Sequence, residues 1–177
     1  MNKKLKLEEL GRVSVEEFKQ LDKIPVCVVL DNIRSANNVG SVFRTSDAFR
    51  VGSVKLCGIT QQPPHRDIQK TALGASKSVD WSYYENTLDA IHELQEQGYV
   101  IASIEQAENT VSLSKWDVKS DQKIAVVLGN EVNGVMQEVV DTSDLCVELP
   151  QFGTKHSLNV SVCSGIVLWH LLQAFNS

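Results

Sequence analysis

Lys123-Ile-Ala-Val-Val-Leu128 runs directly into Gly129-Asn-Glu-Val-Asn-Gly134, and the reading of this junction decides the fold. An unbroken apolar run of strand length is the composition of a strand covered on both faces, whereas a half-exposed strand alternates. Val26-Cys-Val-Val-Leu30 is a second such run, and Val54 to Ile59 and Tyr99 to Ile104 read as further strands. Between them, Val39, Val42 and Phe43 predict a helix over 39–49, and Leu88, Ile91 and Leu94 predict one that stops at Gly98. Strands alternating with helices give an α/β fold, a mostly parallel sheet flanked by helices.

Working outward, Ser14-Val-Glu-Glu17 is a capping-box start for a short helix over 14–22. Residues 1–23 thus read as a short N-terminal helical extension and 24–177 as the main domain. Pro63-Pro64 forces an extended loop, followed by a short helix at 67–75 and a strand at 79–84. Residues 107–121 read as irregular, anchored by Leu113 and Trp116. A short helix at 135–140 and a strand at 145–149 come next. From Ser157 to Phe175 the chain is apolar on nearly all sides, which predicts a buried helix whose covering needs a second subunit.

With 177 residues, 42% of them hydrophobic, the chain reads as one domain. No apolar run has membrane-spanning length, and Lys3, Lys4 and Lys6 lead into Glu8 and Glu9, not into a signal core. Cys27, Cys57, Cys146 and Cys163 form no CxxC pair and sit among apolar neighbours, so reduced buried thiols in the cytoplasm are expected. His65, His92 and His170 lack metal-ligand spacing, and no metal is expected. The net charge of -5 is unevenly spread: residues 31–80 carry seven Lys/Arg against four Asp/Glu, and residues 81–150 three against thirteen. A phosphate-binding face needs only local positive charge. Its candidates are Arg34, Arg44, Arg50, Arg66, Lys70 and Lys77, with Lys155 further on.

Three distant segments place Gly, Asn or Ser where an apolar strand should end, which is where open α/β sheets put ligand chemistry. Asn37-Asn38-Val-Gly40 favours a tight turn capping the next helix, with Arg44 beyond it. Gly129 to Gly134 contains GxxxxG without a following Lys-Ser/Thr, so it is no phosphate loop, and no GxGxxG occurs anywhere. Leu149-Pro150-Gln-Phe-Gly153 leads to Ser157-Leu-Asn-Val-Ser-Val162, where small polar residues interrupt an apolar helix and Ser157 or Asn159 can cap it.

Together these segments resemble the three motifs of the SpoU branch of the SPOUT RNA methyltransferases: Asn-x-Gly-x-x-x-Arg at Asn38, Gly40 and Arg44; Gly-x-Glu-x-x-Gly at Gly129, Glu131 and Gly134; and Pro-x-x-Gly…Ser-Leu-Asn-Val-Ser from Pro150 to Ser161. The resemblance covers roughly residues 24–175. Gly40-Ser-Val-Phe43 stands where Gly-Ala-Ile-Ile is commoner, and Gln151 where methionine is frequent. The resemblance implies a C-terminal deep trefoil knot, a homodimer, S-adenosyl-L-methionine as cofactor, and methyl transfer to a ribose 2′-hydroxyl of structured RNA, tRNA before rRNA. It implies catalytic roles for Arg44, Asn38, Glu131, Ser157 and Asn159. It implies cofactor contacts from Ile104, Gly129, Glu131, Leu149 and Leu158, with Glu131 bonded to Arg44 or to a residue of the third motif. RNA contacts fall to Arg34, Arg44, Arg66, Lys70 and Lys155. Arg44 is expected to hold a phosphate and stabilise the developing alkoxide, because a protonated guanidinium has no acceptor site and cannot readily act as a base. A catalytically silent RNA-binding protein that retains the fold is the alternative.

Overall fold

The two apolar runs become neighbouring central strands in a computed structural model, which describes residues 2–176. Strand β1 (Ile24–Asp31) alternates its side chains between two helical layers. Val26, Val28 and Leu30 join the core beneath helices α2 (Ala36–Ala48) and α7 (Val160–Phe175). Cys27 and Val29 face α5 (Thr87–Glu96) and α6 (Gln137–Thr142). Because both faces are covered, the strand carries no polar residue until Asp31.

The remaining strands are β2 (Val51–Cys57), β3 (Trp81–Tyr84), β4 (Tyr99–Ile104), β5 (Thr110–Ser112), β6 (Lys123–Leu128) and β7 (Leu145–Glu148). They form one seven-stranded sheet in the order β3-β2-β1-β6-β4-β7-β5, with every pairing parallel. The chain lays β2 and β3 on one side of β1, then crosses to the other side. There β6 enters between β1 and β4, and β7 between β4 and β5. The carboxyl ends of β1, β6, β4 and β7 therefore open onto one crevice at the point where strand order reverses.

Several boundaries differ from the sequence reading. Helix α2 starts at Ala36, not at 39, because Ser35 is the cap: its hydroxyl accepts the Asn38 peptide N–H at 3.3 Å. Asn37, Asn38 and Gly40 are thus helical and form no turn. Gly40 serves packing, since a Cβ there would lie 2.1 Å from Thr71 Oγ1 and 2.4 Å from the Ile68 carbonyl oxygen of α3 (Arg66–Ala72). The helix expected at 67–75 is two pieces, α3 and α4 (Ala75–Ser78), parted by Leu73 and Gly74 at positive φ. Residues 107–121 contain the edge strand β5 and a 3-10 turn, with Leu113 and Trp116 buried.

Ser14 does cap α1 (Val15–Gln20), in a capping box with Glu17. The last helix begins at Val160, leaving Ser157 and Leu158 outside it. It is not buried all round: Val162, Ile166 and Trp169 are 52%, 42% and 53% exposed along one stripe. All four cysteines are free, three of them buried. Among the described residues no helix is long and apolar enough to cross a membrane, and no cluster suited to a metal ion occurs.

Candidate functional site

Glu131 stands at the centre of the crevice, on the turn that follows β6. Its carboxylate accepts the peptide N–H groups of Arg34 and Ser35 at 2.8 and 3.0 Å and the Asn38 side-chain amide at 2.9 Å. Burial alone would raise its pKa. The Arg34 and Ser35 peptides and the Asn38 amide outweigh that, and the group titrates below its ordinary value. Asn38 passes the connection on, its carbonyl accepting the Asn159 amide at 3.2 Å. Asn159 in turn caps α7, accepting the Ser161 and Val162 peptide N–H groups at 2.9 and 3.4 Å. One hydrogen-bonded line, Glu131–Asn38–Asn159, thus links all three sequence segments.

Gly129 needs to be glycine. A Cβ there would lie 2.1 Å from the Gly134 carbonyl carbon and the Val135 nitrogen, because the turn folds back on itself. Asn130 and Gly134 exchange both peptide hydrogen bonds at 2.9 Å. The Asn130 side chain closes the turn inside, accepting the Val132 and Asn133 N–H groups, and ties it to β1 by donating to the Asn32 carbonyl at 2.7 Å. Asp31, fully buried at the end of β1, accepts the Met136 N–H at 2.9 Å and the Thr87 hydroxyl at 2.6 Å.

These ties leave a cleft of about 280 Å³ between the ends of β4, β6 and β7 and the start of α7. Ile104, Leu128, Val147, Leu149, Leu158 and Val160 make its apolar walls. Gly129, Glu131, Ser157 and Asn159 also border it. Its charged lining consists of Glu105, Glu131 and Glu148, with no lysine or arginine. Such a lining repels a pyrophosphate and admits a neutral or cationic nucleoside, with exposed backbone available to an adenine edge. The residues present therefore suit S-adenosylmethionine.

Arg44 lies elsewhere. Six residues beyond Asn38 on α2, it is about 9 Å further along the helix axis. It lines a second cavity of about 460 Å³ together with Arg12, Arg50, Lys77 and Asp47. Its guanidinium has no hydrogen-bond or ion-pair partner among the described residues, so the expected Glu131–Arg44 bond is not formed; Glu131 reaches the third segment through Asn38 instead. Arg34 is exposed beside Glu131. Arg66 and Lys70 are exposed on α3, and Lys155 is exposed on the loop before α7, near Phe152, which is 96% exposed.

The sequence reading missed Asp31, Asn130, Glu105 and Gln106. Asp31 left a trace, as the acid that ends an apolar strand. Gln106 left none: its side-chain amide donates to the His156 carbonyl at 2.9 Å, a contact across fifty residues.

A crystal structure of a TrmH/SpoU tRNA modifying enzyme from A. aeolicus superposes with a TM-score of 0.81 at 24% identity, covering 92% of this chain and 81% of that one. An AdoMet-bound rRNA methyltransferase from Sinorhizobium meliloti gives 0.78 at 23% identity, over 88% of this chain and 59% of that one. In sequence, the chain is 30% identical to an uncharacterized tRNA/rRNA methyltransferase of Borreliella burgdorferi, over 98% of this chain and 78% of that protein. It is 26% identical to the 23S rRNA (guanosine-2'-O-)-methyltransferase RlmB of Vibrio parahaemolyticus, over 94% of this chain. The chain spans 66% of that relative's length, and 63% of a TrmH family tRNA/rRNA methyltransferase of Staphylococcus haemolyticus. Residues 25–169, which hold every segment of the crevice, match the SpoU rRNA Methylase family, and the chain belongs to that family.

Proposed function

We propose that this protein transfers the methyl group of S-adenosylmethionine to a ribose 2′-hydroxyl of structured RNA, with tRNA favoured and rRNA next, in the cytoplasm. The observation that carries this reading is the cation-free, apolar-walled cleft joined by the Glu131–Asn38–Asn159 line to the helix that bears Arg44. When bound, S-adenosylmethionine supplies an electrophilic methyl on a positive sulfur. The chain's own part is geometry and charge. The backbone at Leu149 and Leu158 holds the adenine edge, Gly129 lets the nucleoside approach the turn, and Ser157 and Asn159 orient the ribose. Arg44, whose guanidinium pairs with none of the described residues, grips the RNA phosphate next to the reactive ribose, and the bound RNA spans from that cavity to the donor cleft, where the 2′ proton passes to water. Arg34, Arg66, Lys70 and Lys155 extend the contact with the RNA backbone. No metal takes part.

The test is to incubate the protein with methyl-labelled S-adenosylmethionine and bulk RNA, then digest the RNA and identify labelled nucleosides by mass spectrometry. Label in 2′-O-methylated nucleosides is expected. Label on a base would overturn the reaction, and donor binding without transfer would favour the silent RNA binder.

Glu131→Gln leaves a single acceptor oxygen for three donors. It should lower kcat/KM about tenfold, the cost of one unsatisfied peptide group. Because Glu131 titrates below the ordinary 4.5, its ordering effect is complete above that value and is lost as the pH falls through the lower folded value. Donor affinity measured from about pH 8 to about pH 6 should therefore be flat, weakening only in the acid range.

We also read the stripe Val162, Ile166 and Trp169 as a homodimer face, since an apolar helix side of this kind is costly to leave in water. Trp169→Glu should weaken self-association at least about tenfold in sedimentation. The insertion of β6 and β7 between strands already laid down supports reading the C-terminal third as a deep trefoil knot.

A further inference from the structure

Two neighbouring residues follow the carboxyl end of β4 and line the donor cleft. Glu105 and Gln106 sit where the second and third segments meet. The Glu105 carboxylate accepts the Val135 peptide N–H at 3.0 Å and the Gln106 N–H at 2.9 Å. It presses on Gly134 so closely that a Cβ there would lie 2.2 Å from Oε2. Its own peptide N–H donates to the Val147 carbonyl, anchoring the residue to β7. Glu105 is therefore fixed within the cleft wall, not swinging in solvent.

Its charge is felt there. The Cys163 thiol, another part of the wall, is pushed up to about 11, by burial first and then by Glu105. Unlike Glu131, whose carboxylate is engaged by three donors from the first segment, Glu105 is answered among the described residues by two neutral peptide groups. Among the described residues no lysine or arginine lines the cleft to offset it.

A methyltransferase must bind a donor that bears one positive charge and one methyl group more than the product it releases. Resting on the proposed donor, we propose that Glu105 sets this preference, its fixed carboxylate favouring the sulfonium over the neutral thioether and so speeding product exchange. The amino and carboxyl groups of the two ligands are the same. The ratio of their affinities therefore reads the methyl group and the sulfonium charge alone, and a change in that ratio when Glu105 loses its charge reads the electrostatic part.

Titration calorimetry of the full chain with S-adenosylmethionine and with S-adenosylhomocysteine reads that ratio. Glu105→Gln keeps an oxygen for one of the Val135 and Gln106 N–H groups, a loss that weakens both ligands alike, and removes the charge. It should lower the preference for the donor about threefold to tenfold, as expected for one unit charge in a partly screened site. Glu105→Asp keeps the charge but moves it, so the ratio should fall less than in Glu105→Gln. A ratio unchanged by Glu105→Gln would overturn the inference. If that variant does not fold, the unmodified protein supplies the test: raising the salt from about 0.01 M to about 1 M should shrink the ratio, and a constant ratio would overturn the inference. Binding of neither ligand by the unmodified protein would overturn the donor assignment itself, and this inference with it.

Discussion

Replacing Arg44 by lysine is expected to lower kcat about 100-fold while leaving the affinity for S-adenosylmethionine within about twofold. The two halves of this result come from two observations. Arg44 borders the second cavity and does not line the donor cleft, so the donor does not depend on it. Its guanidinium also has no partner among the described residues, so lysine should lose no structural bond there and leave the fold unaffected. What lysine cannot supply is the planar fork that, on the proposed reading, grips the phosphate next to the reactive ribose with two parallel hydrogen bonds and so holds the 2′-hydroxyl at the donor cleft. Single-turnover rates at saturating RNA separate chemistry from binding. Near-normal turnover with only weaker RNA binding would remove Arg44 from the chemical step.

Gly129→Ala should abolish donor binding and cost about 3 kcal/mol of stability or more. The new methyl would meet the Gly134 carbonyl carbon and the Val135 nitrogen at 2.1 Å and the Gly134 oxygen at 2.5 Å. All three are backbone atoms, so no side chain can move aside. Relief requires breaking the paired Asn130–Gly134 bonds, which releases the Glu131 carboxylate from its place at the crevice. A melting temperature lower by about 6–12 °C is the corresponding thermal signature for a chain of this size. Calorimetry and a melting curve check both effects. Unchanged melting with intact donor affinity would mean that the turn does not close as described.

Much of the framework was legible because burial on both faces leaves a plain mark. The apolar runs at 26–30 and 124–128 fall within β1 and β6, and the helix stopping at Gly98 ends at Glu96. Ile104, Gly129, Glu131, Leu149 and Leu158, distant in sequence, line one cleft. The start of α2 was misread because Asn37 and Asn38 are turn formers by local preference. Ser35 takes the cap, and the Asn38 side chain is drawn into long-range bonds that no local pattern records. The distance between Arg44 and the cleft was hidden for a similar reason. The motif fixes a spacing along the chain, but it does not say which cavity a side chain six residues further along a helix will enter. Glu105 was indistinguishable from the acidic surface run around it until the fold pressed it against Gly134.

A crystal structure with S-adenosylhomocysteine is the most direct measurement. The adenine should lie against the backbone of Leu149 and Leu158, with the sulfur in the cleft bordered by Gly129, Glu105 and Asn159. Density for the nucleoside in the Arg44 cavity, or anywhere outside the ends of β4, β6 and β7, would contradict the account.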